Sequence, residues 1–255
     1  MADDKLVFNR IHFEQIDSTN SYLRKNAALL CDNADDCFKA VVVTAENQTS
    51  GRGQRGNVWL SQSGVNLLMS ILVHPLFLPV GQQFRLSQIV ALSLCRAMRG
   101  YGIDASLKWP NDIYVGNRKL AGILIELDYS GSVVGQAVIG IGLNVNQTEF
   151  AAMDRVPVSM KMLRGCDFSI SDVMDSCLCC FSDYYMQLVS SCHSVIETEY
   201  NSLLLGAGEC RKYIDKDGCF DATMIGVEPA GYLLLRRSDG MVSRYAFKEV
   251  EQIIL

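Results

Sequence analysis

Apolar and polar positions alternate from Ile11 to Ile16, which predicts a strand over residues 10–16. Asp17-Ser18-Thr19-Asn20 then has the composition of a helix N-cap, and Tyr22, Leu23, Ala27 and Leu30 follow at helical spacing. The β-branched run 40–45 reads as a strand buried on both faces. A Gly/Arg loop follows at 51–56, with residues 57–60 expected as a strand and a hairpin around 61–64 leading into a strand at 66–73. Residues 82–99 carry an amphipathic helical pattern closed by Gly100 and Gly102. Strands are expected at 106–108, 113–115, 121–127 and 133–141, with Gly116-Asn117-Arg118 as a tight turn.

The pattern changes beyond about residue 145. Helices are expected at 160–164, 171–190 and 195–205, the second with Val173, Met174, Cys177, Cys180, Phe181, Tyr184 and Leu188 on one face. Gly206-Ala207-Gly208 breaks the last of them. From there to Leu255 short strands and glycine turns predict a small β-barrel.

Composition narrows the class. The chain has 255 residues, 49% apolar and 20% charged, values of a folded protein that exclude disorder, collagen repeats and coiled coil. A net charge of −5 argues against sequence-independent nucleic-acid binding, which needs clustered Lys and Arg to neutralise phosphates. The first residues are acidic where a secretory signal is basic, and the apolar stretch 89–98 is interrupted by Ser93 and Arg96. No run approaches the ~20 residues of a membrane span. The ten cysteines therefore read as reduced, buried thiols, and the expected location is cytoplasmic with no membrane partner.

Four segments carry candidate chemistry. Gly51-Arg52-Gly53-Gln54-Arg55-Gly56 satisfies G-x-G-x-x-G, but no helix is expected after it and no acidic residue stands in 74–79 to hold a ribose. Asn57 stands where a Walker loop needs Lys. The loop is open to two readings, a solvated surface turn or a flexible arginine-bearing wrap around an anion. Lys108-Trp109-Pro110-Asn111-Asp112 is a turn crowded by a Trp and a Lys. Lys119-Leu120-Ala121-Gly122 sets a cation at the mouth of an apolar strand, and Gly140-Ile141-Gly142-Leu143-Asn144 allows close approach of a planar ligand. Elsewhere, Cys177 and Cys180 share an apolar helix face, which favours packing over zinc despite Cys192 and His193 downstream. His12, His74 and His193 accompany no nucleophile motif, and Glu126 and Asp128 read as a solvated strand edge.

Taken together and in this order, Asp17-to-Asn20, Gln48 with the 51–56 loop, Lys108-to-Asp112, Lys119-to-Gly122 and Gly140-to-Asn144 closely resemble the biotin–protein ligases, over about Ile11 to Asn146. The resemblance implies an α+β fold: a mixed sheet with helices packed on one side, of the class II aminoacyl-tRNA-synthetase and biotin-ligase type, over residues 1–206. An SH3-like β-barrel follows over 207–255. It implies a two-step reaction in which biotin and ATP, with Mg²⁺ on the triphosphate, give biotinyl-5′-adenylate. A lysine of a biotin carboxyl carrier protein then takes the biotinyl group.

By matching motif, Ser18, Thr19, Asn20, Gln48, Arg52, Gly53, Gln54, Lys119 and Gly122 would line the biotin site. Arg52, Arg55, Trp59, Lys108, Asn111, Lys119, Gly140, Gly142 and Asn144 would serve ATP and the adenylate. Lys119, Arg52 and Asp112 would stand at the reaction centre, with no metal held by the protein itself. Many relatives carry Arg at the position of Gln54, so retention of the adenylate rests more heavily on Arg55. Only about ten residues precede the first catalytic strand, which implies the monofunctional kind without a DNA-binding module. Monomer and weak homodimer both stay open. A lipoate–protein ligase and a non-catalytic biotin sensor are the alternatives.

Overall fold

A computed structural model describes residues 5–30, 37–151 and 155–254, with the side chain of Arg55 outside the described set. Its centre is a seven-stranded sheet in the order β1-β2-β3-β7-β6-β5-β4. The strands are β1 (Val7–Ile16), β2 (Lys39–Gln48), β3 (Leu67–Val73), β4 (Ser106–Lys108), β5 (Asp112–Val115), β6 (Arg118–Ser130) and β7 (Val133–Leu143). β1 and β2 run parallel, and every other pair in the sheet is antiparallel.

Period-two geometry explains the apolar runs. Along β2, Ala40 and Val42 face one side while Val41 and Val43 face the other, and both sides are covered. Helix α1 (Thr19–Leu30) covers the second side, with Leu23 and Ala27 against Val41, Val43, Leu72 and Val138. Helix α2 (Phe84–Gly100) covers the first, and α4 (Ile170–Val189) and α5 (His193–Ser202) pack against α2; the short α3 (Met160–Arg164) is capped by Ser159. The expected one-sided helical layer thus holds for α2, α4 and α5, and α1 lies on the opposite face. Leu23 and Ala27 are buried there because the outward side of β2 and β3 is as apolar as the inward side.

Residues 57–60 do not form the expected strand. The chain passes through a 3-10 turn at Gln54–Gly56, and Val58 makes a single bridge to Arg52. The Gly53 N–H donates to the Asn57 carbonyl at 2.7 Å and the Trp59 N–H to the Gly51 carbonyl at 3.1 Å, so the loop satisfies its own backbone groups.

Gly206 and Gly208 take φ of 77° and 76°, and beyond them lie β8 (Cys210–Asp215), β9 (Gly218–Val227), β10 (Leu233–Arg237), β11 (Val242–Tyr245) and β12 (Val250–Gln252). They form an antiparallel sheet in the order β11-β10-β9-β8-β12. This is consistent with the expected SH3-like barrel, though β11 and β12 do not pair to close it. One hydrophobic cluster runs through both sheets, from Ile139 and Trp109 to Tyr213, Met224 and Leu233. The Trp109 indole N–H donates to the Gly231 carbonyl at 3.1 Å across the junction.

The thiols depart from expectation. Cys95 and Cys177 are buried, but Cys166, Cys179, Cys192, Cys210 and Cys219 are exposed, because they fall on outward helix and strand positions or in turns. Among the described residues no helix is long and apolar enough to cross a membrane.

Candidate functional site

Three polar constructions meet around one cavity of about 1150 Å³ between the two sheets. The first is the start of α1. The Ser18 hydroxyl accepts from the Ser21 N–H at 3.4 Å, closing the first turn as an N-cap should. Gln48 Oε1, at the end of β2, accepts from both the Thr19 N–H (2.8 Å) and the Thr19 hydroxyl (3.1 Å). Ser70 Oγ lies 2.7 Å from Thr19 Oγ1 and donates to Asn20 Oδ1 at 2.5 Å. The Asn20 amide nitrogen donates to Glu126 Oε2 at 3.0 Å. Asn20 is therefore fixed at both ends of its amide.

The second is a floor of bare backbone. Gly122 on β6 pairs with Gly142 on β7, and Gly140 pairs with Leu124. A methyl group on Gly142 would lie 2.4 Å from Trp59 Cε2, and one on Gly122 3.0 Å from Trp59 Cζ3. The indole thus rests on the strand pair where no side chain intervenes. A methyl on Gly140 would meet Asn20 Oδ1 at 2.2 Å. Both Trp59 Nε1 and Gln54 Oε1 are buried without a hydrogen-bond partner among the described residues. Buried polar atoms normally find partners, so this pair marks a place where a ligand's polar groups fit.

The third is a charged end wall. Lys119 Nζ lies 2.7 Å from Asp112 Oδ1, and Arg155 Nη1 lies 2.8 Å from Asp112 Oδ2. The Asp112 side chain is only 4% exposed, and two cations share its charge. Lys119 Nζ also stands 5.7 Å from the Trp59 ring centroid, within cation–π range. Burial pulls the Lys108 ammonium below its usual pKa, with Arg155 and Lys119 adding to the effect against the pull of Asp112 and Glu251. The Asn111 side chain donates to the Ile123 carbonyl at 2.8 Å and its own carbonyl accepts from the Ile123 N–H, which fixes the 108–112 turn against β6.

Of the residues that the resemblance assigns to biotin, the adenylate or the reaction centre, every one described lines the cavity except Asn144. Asn144 is buried to one side, where its amide donates to the Val158 carbonyl at 3.1 Å and its N–H to the Leu120 carbonyl. The expected role of Arg55 falls on a side chain outside the described set. Arg52 is present with its guanidinium forked onto Glu126, Nη1 at 3.1 Å from Oε2 and Nη2 at 2.9 Å from Oε1.

Four residues or groups escaped the sequence reading. Glu126 is not solvated, although β5 pairs with β6 only as far as Gly122: Asn20 and Arg24 of α1 and Arg52 of the loop close over its carboxylate, and the side chain is 14% exposed. Ser70 is a lone hydroxyl in an otherwise apolar buried strand, and that isolation was its signal. Arg155 and the terminal-sheet residues Asp215, Lys216 and Glu251 reach the cavity only through tertiary folding. The Cys177–Cys180 pair shows one buried and one half-buried thiol, and no group of three or more metal-ligating side chains occurs among the described residues.

The biotin/lipoate A/B protein ligase family model matches residues 12–144. A bifunctional ligase/repressor of Bacillus subtilis, BirA, is 29% identical over 230 residues, covering 89% of this chain and 70% of that protein. A biotin–[acetyl-CoA-carboxylase] ligase of Paracoccus denitrificans is 28% identical over 233 residues, covering 88% and 92%. The solved biotin protein ligase of Aquifex aeolicus in complex with biotin and ATP superposes with a TM-score of 0.78 at 26% identity, over 97% of this chain and 99% of that one. The matched segment spans α1, the 51–56 loop, Lys119 and the glycine floor, and on that basis the chain belongs to the biotin/lipoate A/B protein ligase family.

Proposed function

We propose that the protein is a biotin–protein ligase that activates biotin with ATP and transfers it to a lysine of a biotin carboxyl carrier protein. The observation that carries the proposal is the glycine-floored cavity with Lys119 at one end and Arg52 at its rim. In the first step a biotin carboxylate oxygen bonds to the α-phosphorus of ATP and the bond to pyrophosphate breaks. Two anions must approach, so fixed cations lower the barrier most. Lys119 and Arg52 supply them, and Asp112 holds the Lys119 ammonium in place at 2.7 Å. In the second step the carrier lysine's amine attacks the biotinyl carbonyl and AMP leaves with the bonding pair. Neither step needs a protein nucleophile.

Ser18, Thr19, Asn20 and Gln48 fit a polar ring system such as biotin's, since their amides and hydroxyls are already oriented by one another. Gly122 and Gly142 let the Trp59 indole lie flat on the strand pair, which sets its ring at the cavity as a surface for a planar base, and Gly140 makes the space that Asn20 fills. Mg²⁺ fits as a companion of the triphosphate, since both Asp112 oxygens are already engaged by cations. A division near residue 206, a cytoplasmic location and the absence of a DNA partner belong to the same proposal. ATP–pyrophosphate exchange with biotin or with lipoate, followed by transfer to a carrier domain, tests it. Exchange that depends on lipoate overturns biotin as substrate, and tight biotin binding without exchange points to a sensor.

A further inference from the structure

The carboxylate of Glu126 takes four hydrogen bonds, three of them from two arginines. Oε1 takes Arg24 Nη1 at 3.0 Å and Arg52 Nη2 at 2.9 Å; Oε2 takes Arg52 Nη1 at 3.1 Å and the Asn20 amide at 3.0 Å. Burial works against its ionised form, but the Asn20 hydrogen bond and the two guanidinium groups outweigh that and hold its pKa below the usual range. The two cations differ in place. Arg52 lines the cavity, whereas Arg24 lies on α1 outside it and also approaches Asp128 at 3.8 Å. A secluded carboxylate left without a cation is strongly unfavourable, so an arginine that was its sole partner would not leave readily. With two, one is free to go.

We propose that Glu126 is a positioning residue for Arg52: it docks the guanidinium at the cavity rim and releases it to an anionic ligand, with Arg24 retaining the carboxylate afterwards. The hand-over to biotinyl-adenylate rests on the biotinylation proposed above; the docking does not. The same carboxylate holds Asn20, whose Oδ1 is held by Ser70, so the polar subsite at the start of α1 and the 51–56 loop are joined through one group. Occupation of the Asn20 subsite and capture of Arg52 are thereby coupled without any further contact.

The test uses the full chain as wild type, Arg24→Ala, Glu126→Gln and the double variant. Arg24→Ala touches nothing in the cavity, yet it should raise KM for biotin in pyrophosphate exchange about fivefold, with a smaller change in kcat. The double variant should return to the KM of Glu126→Gln, because a neutral amide needs no standby cation. An unchanged KM in Arg24→Ala, or effects of the two substitutions that simply add, overturns the hand-over. Trypsin digestion of ligand-free protein reads the docking alone: Glu126→Gln should be cut after Arg52 several-fold faster than wild type, and equal rates overturn it. A wild type without biotin-dependent exchange would sink the proposed reaction, while the docking would still be judged by trypsin.

Discussion

In the proposed reaction Lys119 is the residue on which the chemistry turns, and its setting is reciprocal. Asp112 holds the ammonium at 2.7 Å, while Arg155 shares the carboxylate and keeps it from neutralising the cation outright. Lys119→Ala should lower biotin-dependent pyrophosphate exchange by about 10²–10³-fold, as loss of a preorganised charge does at other anionic transition states. Exchange within a few-fold of wild type would contradict that role. Gly142→Ala makes a different point. Its methyl would overlap Trp59, an indole already set against backbone, so the ring must shift. The expected result is a KM for ATP raised about tenfold while biotin affinity measured alone changes little. Both residues were legible in the sequence because each sits in a short motif. Glu126 was not: alternation with Asp128 says that two carboxylates share a strand face, and only its register beside Val138, under α1, says that this face is covered there.

At the scale of elements, β6 unites the site. Its first residues present Lys119 and Gly122, and Glu126 lies four positions beyond Gly122 on the same face. The sign of its titration follows from the depressed pKa. Glu126 in the folded chain ionises below the ~4.3 of a free glutamate, so its stabilising contribution is present above that value and is lost as pH falls through the folded pKa. The stability difference between wild type and Glu126→Gln, followed by urea unfolding, should be flat from neutrality to about pH 5 and shrink below about 4.3. A difference that grows on acidification would be the wrong sign. Element types were largely readable because the 3.6 periodicity is strong in α2 and α4 and an unbroken β-branched run marks β2. The segment 57–60 was misread because its extended backbone bonds back to Gly51 and Gly53, a partnership that local pattern does not encode.

At the scale of the whole molecule, the terminal sheet completes one wall of the cavity and covers Trp109, whose indole bonds to Gly231 and stands 6.1 Å from the Phe247 ring. Trp109→Ala should therefore cost about 3–5 kcal/mol and lower the unfolding midpoint of the entire chain, read by calorimetry. A chain ending at residue 206, near the proposed division, should lose exchange activity as well as stability, since Trp109 would lose Gly231 and Phe247 and face water. Wild-type stability in that fragment would show the two parts to be independent. What the sequence by itself determined is the chemistry: which cations, amides and glycines exist, and that their spacing matches one family, because motifs are local and period-bound. Only the tertiary structure decided what those groups do to one another. It set Arg52 on Glu126, Arg155 on Asp112 and Trp59 on the glycine floor, because strand order and the docking of the terminal sheet join residues that no periodicity connects.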